Sequence, residues 1–155
     1  PMYIRMPRKS RPDVYDSKYK FELFKADLVN EGKDITIIAS GTMVYEAKLA
    51  AEELKKQGIE VELISANFIK PLDKETLLKS INKTKRVLTC ENHNVIGGLH
   101  SAVCELVCEN TPVKVYSIGV QDQFGQVGKY NDLLETYHMT YNDIVMKVNQ
   151  ILNDK

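Results

Sequence analysis

Residues 35–65 read ITIIASGTMVYEAKLAAEELKKQGIEVELIS, and two changes of period divide them. Ile35 to Ala39 is a short, largely β-branched run, the pattern of a strand. Thr42 to Gln57 then carries Met43, Ala47, Ala50 and Leu54 at i, i+4, i+7 and i+11, which lines one face of a helix. Glu52 stands four residues before Lys56, the favourable order for a helical ion pair, and Gly58 follows as a stop. Val61 to Ser65 is a second strand. Strand, helix and strand in succession form a βαβ unit, which implies parallel pairing.

Working outward, Glu22 to Val29 is β-like and is joined to Ile35 by Asn30-Glu31-Gly32-Lys33-Asp34, a turn-forming link that predicts an antiparallel hairpin. On the other side, Pro71 leads to Asp73, a helix N-cap, and Leu77, Leu78 and Ile81 give a short helix its apolar face. Arg86 to Cys90 is a strand. Leu99, Ala102, Val103, Leu106 and Val107 have the clearest helical period in the chain, and open after Gly97-Gly98. Val113 to Ile118 alternates imperfectly, as an edge strand does. A glycine-bearing loop, Gly119 to Lys129, precedes two closing helices, the last starting at Thr140 with Asp143 three residues on. The expected fold is α/β, three layers α/β/α, around a five-stranded, mostly parallel mixed sheet with one antiparallel strand.

The 155 residues suffice for one domain with a hydrophobic core. Lys plus Arg equals Asp plus Glu at 21 each, so net charge supplies no attraction to nucleic acid or to an acidic membrane. No apolar run approaches the roughly 20 residues of a membrane span, and the expected setting is cytoplasmic. Cys90, Cys104 and Cys108 are odd in number and lack CxxC spacing, which reads as reduced packing thiols and not as a disulfide framework or zinc site.

Ligands of open α/β sheets sit at the carboxyl ends of the strands. Three loops qualify. Ser40-Gly41-Thr42 reads as a helix cap, and neither GxGxxG nor GxxxxGK[ST] occurs. Glu91-Asn92-His93-Asn94-Val95-Ile96-Gly97-Gly98 gathers a carboxylate, an imidazole and two amides before a helix. Glu91, His93, Gly97 and Gly98 are therefore an interface loop held by side-chain hydrogen bonds, or a ligand loop. Glu91 and His93 lack a third metal ligand, so no metal site is expected. The third loop is Gly119 to Lys129. Arg5, Arg8, Lys9 and Arg11 form a basic cluster, read as a solvated face or an anion site. His100 and His138 receive no functional reading.

Three segments, GKDITIIASGTMVYEAKLAAEELKKQGIEVELISANFIKPLD, ENHNVIGGLHSAV and GVQDQFGQVGKYNDLLETYHMT, in this order resemble the C-terminal domain of transketolases. The resemblance covers nearly the whole chain and is shared, less closely, with deoxyxylulose-phosphate synthase and 2-oxoacid dehydrogenase E1 β chains. It implies that residues 1–20 are the end of a pyrimidine-binding domain plus linker, and that residues 21–155 are the C-terminal domain. It also implies that Arg8 contacts the substrate phosphate in the parent enzyme. Thiamine diphosphate and magnesium belong to that parent. The GDG…N magnesium motif is absent from this sequence, so no catalytic, cofactor-binding or metal-binding residue is expected here. The implied partners are the pyrophosphate- and pyrimidine-binding domains and a second subunit in a homodimer, with no nucleic acid and no membrane. The implied role is structural within a ketol-transferring enzyme, the isolated chain being inactive. A free-standing anion-binding α/β module is the reading from a different class.

Overall fold

A computed structural model describes residue 1 and residues 10–154. The elements run β1 (Asp27–Asn30), β2 (Ile35–Ala39), α1 (Met43–Lys56), β3 (Val61–Ser65), α2 (Lys74–Thr84), β4 (Val87–Asn94), α3 (Leu99–Asn110), β5 (Val115–Val120), α4 (Tyr130–Thr136) and α5 (Tyr141–Asn153). One sheet has the order β1-β3-β2-β4-β5, with β1 antiparallel to β3 and the other three pairings parallel. This is the expected three-layer mixed-sheet fold.

Alternation along β2 explains the layers. Ile35, Ile37 and Ala39 pack with Met43, Ala47 and Leu54 of α1 and with Ile144 and Val148 of α5. Ile38 faces the opposite way, toward Leu77 and Ile81 of α2 and Leu99 and Val103 of α3. A strand covered on both faces must be apolar on both, and each buried isoleucine contributes about 1.5–3 kcal/mol. Thr36 is the exception that is satisfied in place: its hydroxyl oxygen lies 2.7 Å from that of Thr84 and 3.2 Å from that of Ser80. The Ser80 hydroxyl also donates to the buried Glu62 carboxylate at 2.8 Å, and the Lys83 ammonium pairs with the other Glu62 oxygen.

The hairpin expected between residues 22–29 and Ile35–Ala39 does not form. β1 pairs with β3 instead, with Asp27 opposite Ser65 and Leu28 opposite Ile64. The link between β1 and β2 crosses the start of β3: Lys33 and Asp34 N–H donate to the Glu60 carbonyl, both at 3.0 Å, and Gly32 N–H donates to Glu62 at 2.9 Å. β3 thereby lies between the two strands that the turn signal seemed to join. The strand is also shorter than the β-like run, because the backbone turns at Phe24, which has a φ of 62°. Two other boundaries differ: β4 runs on to Asn94, and β5 begins at Val115 and ends at Val120.

Residues ahead of β1 are attached to the sheet edge. The rings of Tyr15 and Tyr19 stack with centroids 4.0 Å apart, and both hydroxyls donate to Asp27 Oδ2, at 2.9 and 2.6 Å. The Asn67 side-chain amide donates to the same oxygen at 2.7 Å. Lys48 Nζ donates to the Val14 carbonyl at 3.1 Å.

Candidate functional site

Glu91 belongs to β4 and not to the loop in which the sequence reading placed it, and its side chain is wholly buried. β4 delivers the carboxylate to the start of α3, where Gly98 has no side chain with which to cap the helix. Glu91 Oε2 accepts the Leu99 N–H at 2.7 Å and Oε1 accepts the His100 N–H at 2.8 Å. A carboxylate here satisfies two of the orphan donors of the first helical turn and complements the helix dipole.

His93 reaches back over the same group. Its Nε2 lies 3.0 Å from Glu91 Oε2 and its Nδ1 lies 2.9 Å from the Asn94 carbonyl oxygen. Both neighbours are acceptors, so both contacts are hydrogen bonds when the ring carries two protons. Gly98 makes room for this arrangement. A Cβ there would stand 2.2 Å from Glu91 Oε2 and 2.3 Å from His93 Cε1. Gly97 has a different reason, a φ of 78° in the left-handed region.

The structure therefore brings together all four residues singled out in this loop, Glu91, His93, Gly97 and Gly98. Both Glu91 oxygens are engaged and the group has no exposed surface, which suits a fixed cap better than a proton-transfer group open to solvent. Asn94 extends the network: its amide donates to Asp122 Oδ1 at 3.0 Å and its Oδ1 accepts the Ile96 N–H at 2.8 Å. Through Asp122 the network reaches the Gly119–Lys129 loop. The Tyr137 hydroxyl holds that loop by accepting the Gln126 N–H at 2.9 Å and donating to the Phe124 carbonyl at 3.2 Å. The Phe124 and Val127 side chains are fully exposed, and Ile96 is largely so.

Other sequence readings resolve as follows. Arg8 and Arg5 lie outside the described residues. Ser40-Gly41-Thr42, read as a helix cap, leads into α1 with Thr42 at its N-cap position; the Thr42 side chain makes no capping bond, and the Met43 and Val44 N–H groups donate to the Ser40 and Gly41 carbonyls, at 3.2 and 3.3 Å. Cys90 is buried, and burial together with the neighbouring Glu91 charge pushes its thiol well above the ordinary range. Burial also raises the Cys104 thiol, whose sulfur lies 3.6 Å from His100 Nε2. Both behave as packing thiols. Among the described residues no three His, Cys, Asp or Glu side chains converge on a point that could hold a metal ion. No helix among those residues is long and apolar enough to cross a membrane.

The family model "Transketolase, C-terminal domain" matches residues 24–144. The chain belongs to the transketolase C-terminal-domain family. It is 44% identical over 155 residues, all of this chain and 48% of the relative, to a 6-deoxy-6-sulfo-D-fructose transketolase subunit of Clostridium sp. (strain MSTE9). It is 38% identical over 159 residues, all of this chain and 25% of the relative, to 1-deoxy-D-xylulose-5-phosphate synthase of Halothermothrix orenii. A solved split-gene transketolase, described as an inactive beta4 tetramer, superimposes with a TM-score of 0.85 at 40% identity, covering 91% of this chain and 46% of that one. The chain spans about half the length, or less, of the curated relatives it matches. The family is one of thiamine-diphosphate-dependent enzymes.

Proposed function

We propose that this chain serves as the C-terminal domain of a transketolase that moves a two-carbon ketol unit between sugar phosphates, in the cytoplasmic pentose phosphate network. The observation that carries this reading is the match of residues 24–144 to the transketolase C-terminal domain, within a chain about half as long as its transketolase-subunit relatives. Identity is higher to the sulfofructose transketolase subunit, at 44%, than to the deoxyxylulose-phosphate synthase, at 38%, which favours transketolase over that cousin.

In this reading the domain's contribution is architectural. The loops at residues 91–98 and 119–129 form a packing surface for the pyrophosphate- and pyrimidine-binding domains or for a second subunit. The pinned, exposed Phe124 and Val127 support that role, as does the tetramer named for the structural relative. Arg8 contacts the substrate phosphate in the complete enzyme, and thiamine diphosphate with magnesium is held elsewhere in it.

Calorimetric titration of the full chain with thiamine diphosphate and magnesium tests the reading. The expected result is no saturable heat and no ketol transfer until the companion domains are supplied. Tight cofactor binding by this chain alone would overturn it. In the reconstituted enzyme, Arg8→Ala raises KM for a ketose phosphate more than it lowers kcat; an unchanged KM removes Arg8 from the site.

A further inference from the structure

Two side-chain polar atoms among the described residues are covered by protein yet have no hydrogen-bond partner, Arg11 Nε and Thr42 Oγ1. Such atoms are rare in folded proteins, and an absent ion, water or ligand is a common explanation. Both residues line one cavity of about 490 Å³, walled by Gly41, Tyr45, Glu46 and Tyr130 as well. That size suits a small organic ligand.

The cavity's chemistry narrows the occupant. The Arg11 guanidinium sits over the Tyr130 ring, its Cζ 3.4 Å from the centroid. This cation–π contact leaves the guanidinium N–H groups to seek an acceptor, and the N–H fork of arginine matches carboxylates and phosphates. Among the described residues Arg11 forms no ion pair, and the Thr42 hydroxyl beside it caps no helix. The cavity opens at the carboxyl end of β2, with β3 on one side of that strand and β4 on the other. This is the point at which strand order reverses, where open α/β sheets take ligands. Glu46 also lines the cavity, and its carboxylate limits the negative charge that the cavity accepts. A single oxyanion fits better than a ligand crowded with charge.

We propose that this cavity is a binding site for a small organic oxyanion, a carboxylate or a phosphate monoester, held by the Arg11 guanidinium and the Thr42 hydroxyl against the rings of Tyr45 and Tyr130. The site goes beyond the transketolase reading and does not depend on it, because every group named belongs to this chain.

The test titrates the full chain with acetate, inorganic phosphate and glycerol 3-phosphate at constant ionic strength, following calorimetric heat and the thermal midpoint. The expected result is one saturable site per chain for at least one probe. Acetate alone assigns a carboxylate ligand, and the two phosphates alone assign a phosphate monoester. Arg11→Gln weakens binding about tenfold or more, in keeping with the loss of a charge-assisted fork. Thr42→Val weakens it several-fold, with circular dichroism reporting that each variant is folded, and Lys114→Gln, on the distant β5 edge, leaves it unchanged. Should Arg11→Gln not fold, Thr42→Val and Arg11→Lys, which keeps the charge without the fork, carry the test. No saturation by any of the three probes overturns the proposal. So does binding that the folded Arg11 and Thr42 variants leave as tight as in the parent chain.

Discussion

Glu91 Oε2 lies 2.7 Å from the Leu99 backbone nitrogen, eight residues further along the chain. A strand residue thus does for α3 what its own N-cap glycine cannot. Glu91→Gln keeps the shape but loses the charge that favours two helical N–H donors and His93. Hydrogen bonds to charged groups contribute about 1.5–3 kcal/mol, and the loss of stability falls within that range. Amide exchange at Leu99 and His100 reports it locally: both exchange faster in the variant, while amides of α1 follow only the global change.

Gly97 and Gly98 are adjacent, and substitution separates their roles. Gly98→Ala places a methyl group against Glu91 and His93, an overpacking cost of about 1–3 kcal/mol. Gly97→Ala meets no neighbouring atom but must hold a left-handed backbone, at about 1–2 kcal/mol. Asparagine tolerates that conformation, so Gly97→Asn recovers most of the loss and Gly98→Asn recovers none. Urea midpoints of the four variants decide the matter.

Acid sensitivity follows from Glu62 and Asp73. Burial by itself would raise the Glu62 carboxyl, but Lys83, the Gly32 N–H and the Ser80 hydroxyl together hold it below its ordinary value. At Asp73, burial is likewise outweighed, by the N–H groups of Ala26 and Thr76, the Thr76 hydroxyl and Lys25. Both folded values lie below the unfolded ones, so their contributions are complete above the unfolded carboxylate range, about pH 4. They are lost as pH falls through the folded values. Urea unfolding from pH 7 to pH 3 therefore shows stability falling at the acid end, and Glu62→Gln flattens that fall while lowering stability at pH 7.

Tyr15 and Tyr19 share one acceptor oxygen on Asp27. Burial, with the Asp27 hydrogen bond and charge adding to it, raises the Tyr15 hydroxyl far above its ordinary range. Tyr15→Phe and Tyr19→Phe each cost about 1 kcal/mol, and a double-mutant cycle with Asp27→Asn shows coupling. Trypsin cleaves after Lys18 and Lys20 sooner in the variants than in the parent chain. Equal cleavage rates would show that these bonds do not hold the segment.

The helices were legible from Met43, Ala47, Ala50 and Leu54, and from the spacing of Leu99 with Val103 and Leu106, because a helix writes its buried face into residues a turn apart. Asp73 and Thr140 were legible as caps for the same reason: the group capped lies three residues away. The Asp73 carboxylate accepts the Thr76 N–H at 3.3 Å, and Thr140 with Asp143 forms a capping box. Glu91 was legible only as a polar residue in a candidate loop. Its partner amides lie beyond the bend at Gly97-Gly98, and only the packing of α3 against β4 brings them within reach.

The sequence by itself determined the number of strands, their alternation with helices, and therefore a layered α/β domain, since burial period and capping are local properties of the chain. Only the tertiary structure decided that β1 pairs with β3 and not with β2, because a turn signal shows that the chain reverses but not which strand it reaches. It likewise placed Arg11 over Tyr130 beside an unpartnered Thr42, residues whose sequence separation gives no hint of contact. Neighbourhood across a sheet or a cavity is settled by the packing of the whole domain, and no short stretch of sequence encodes it.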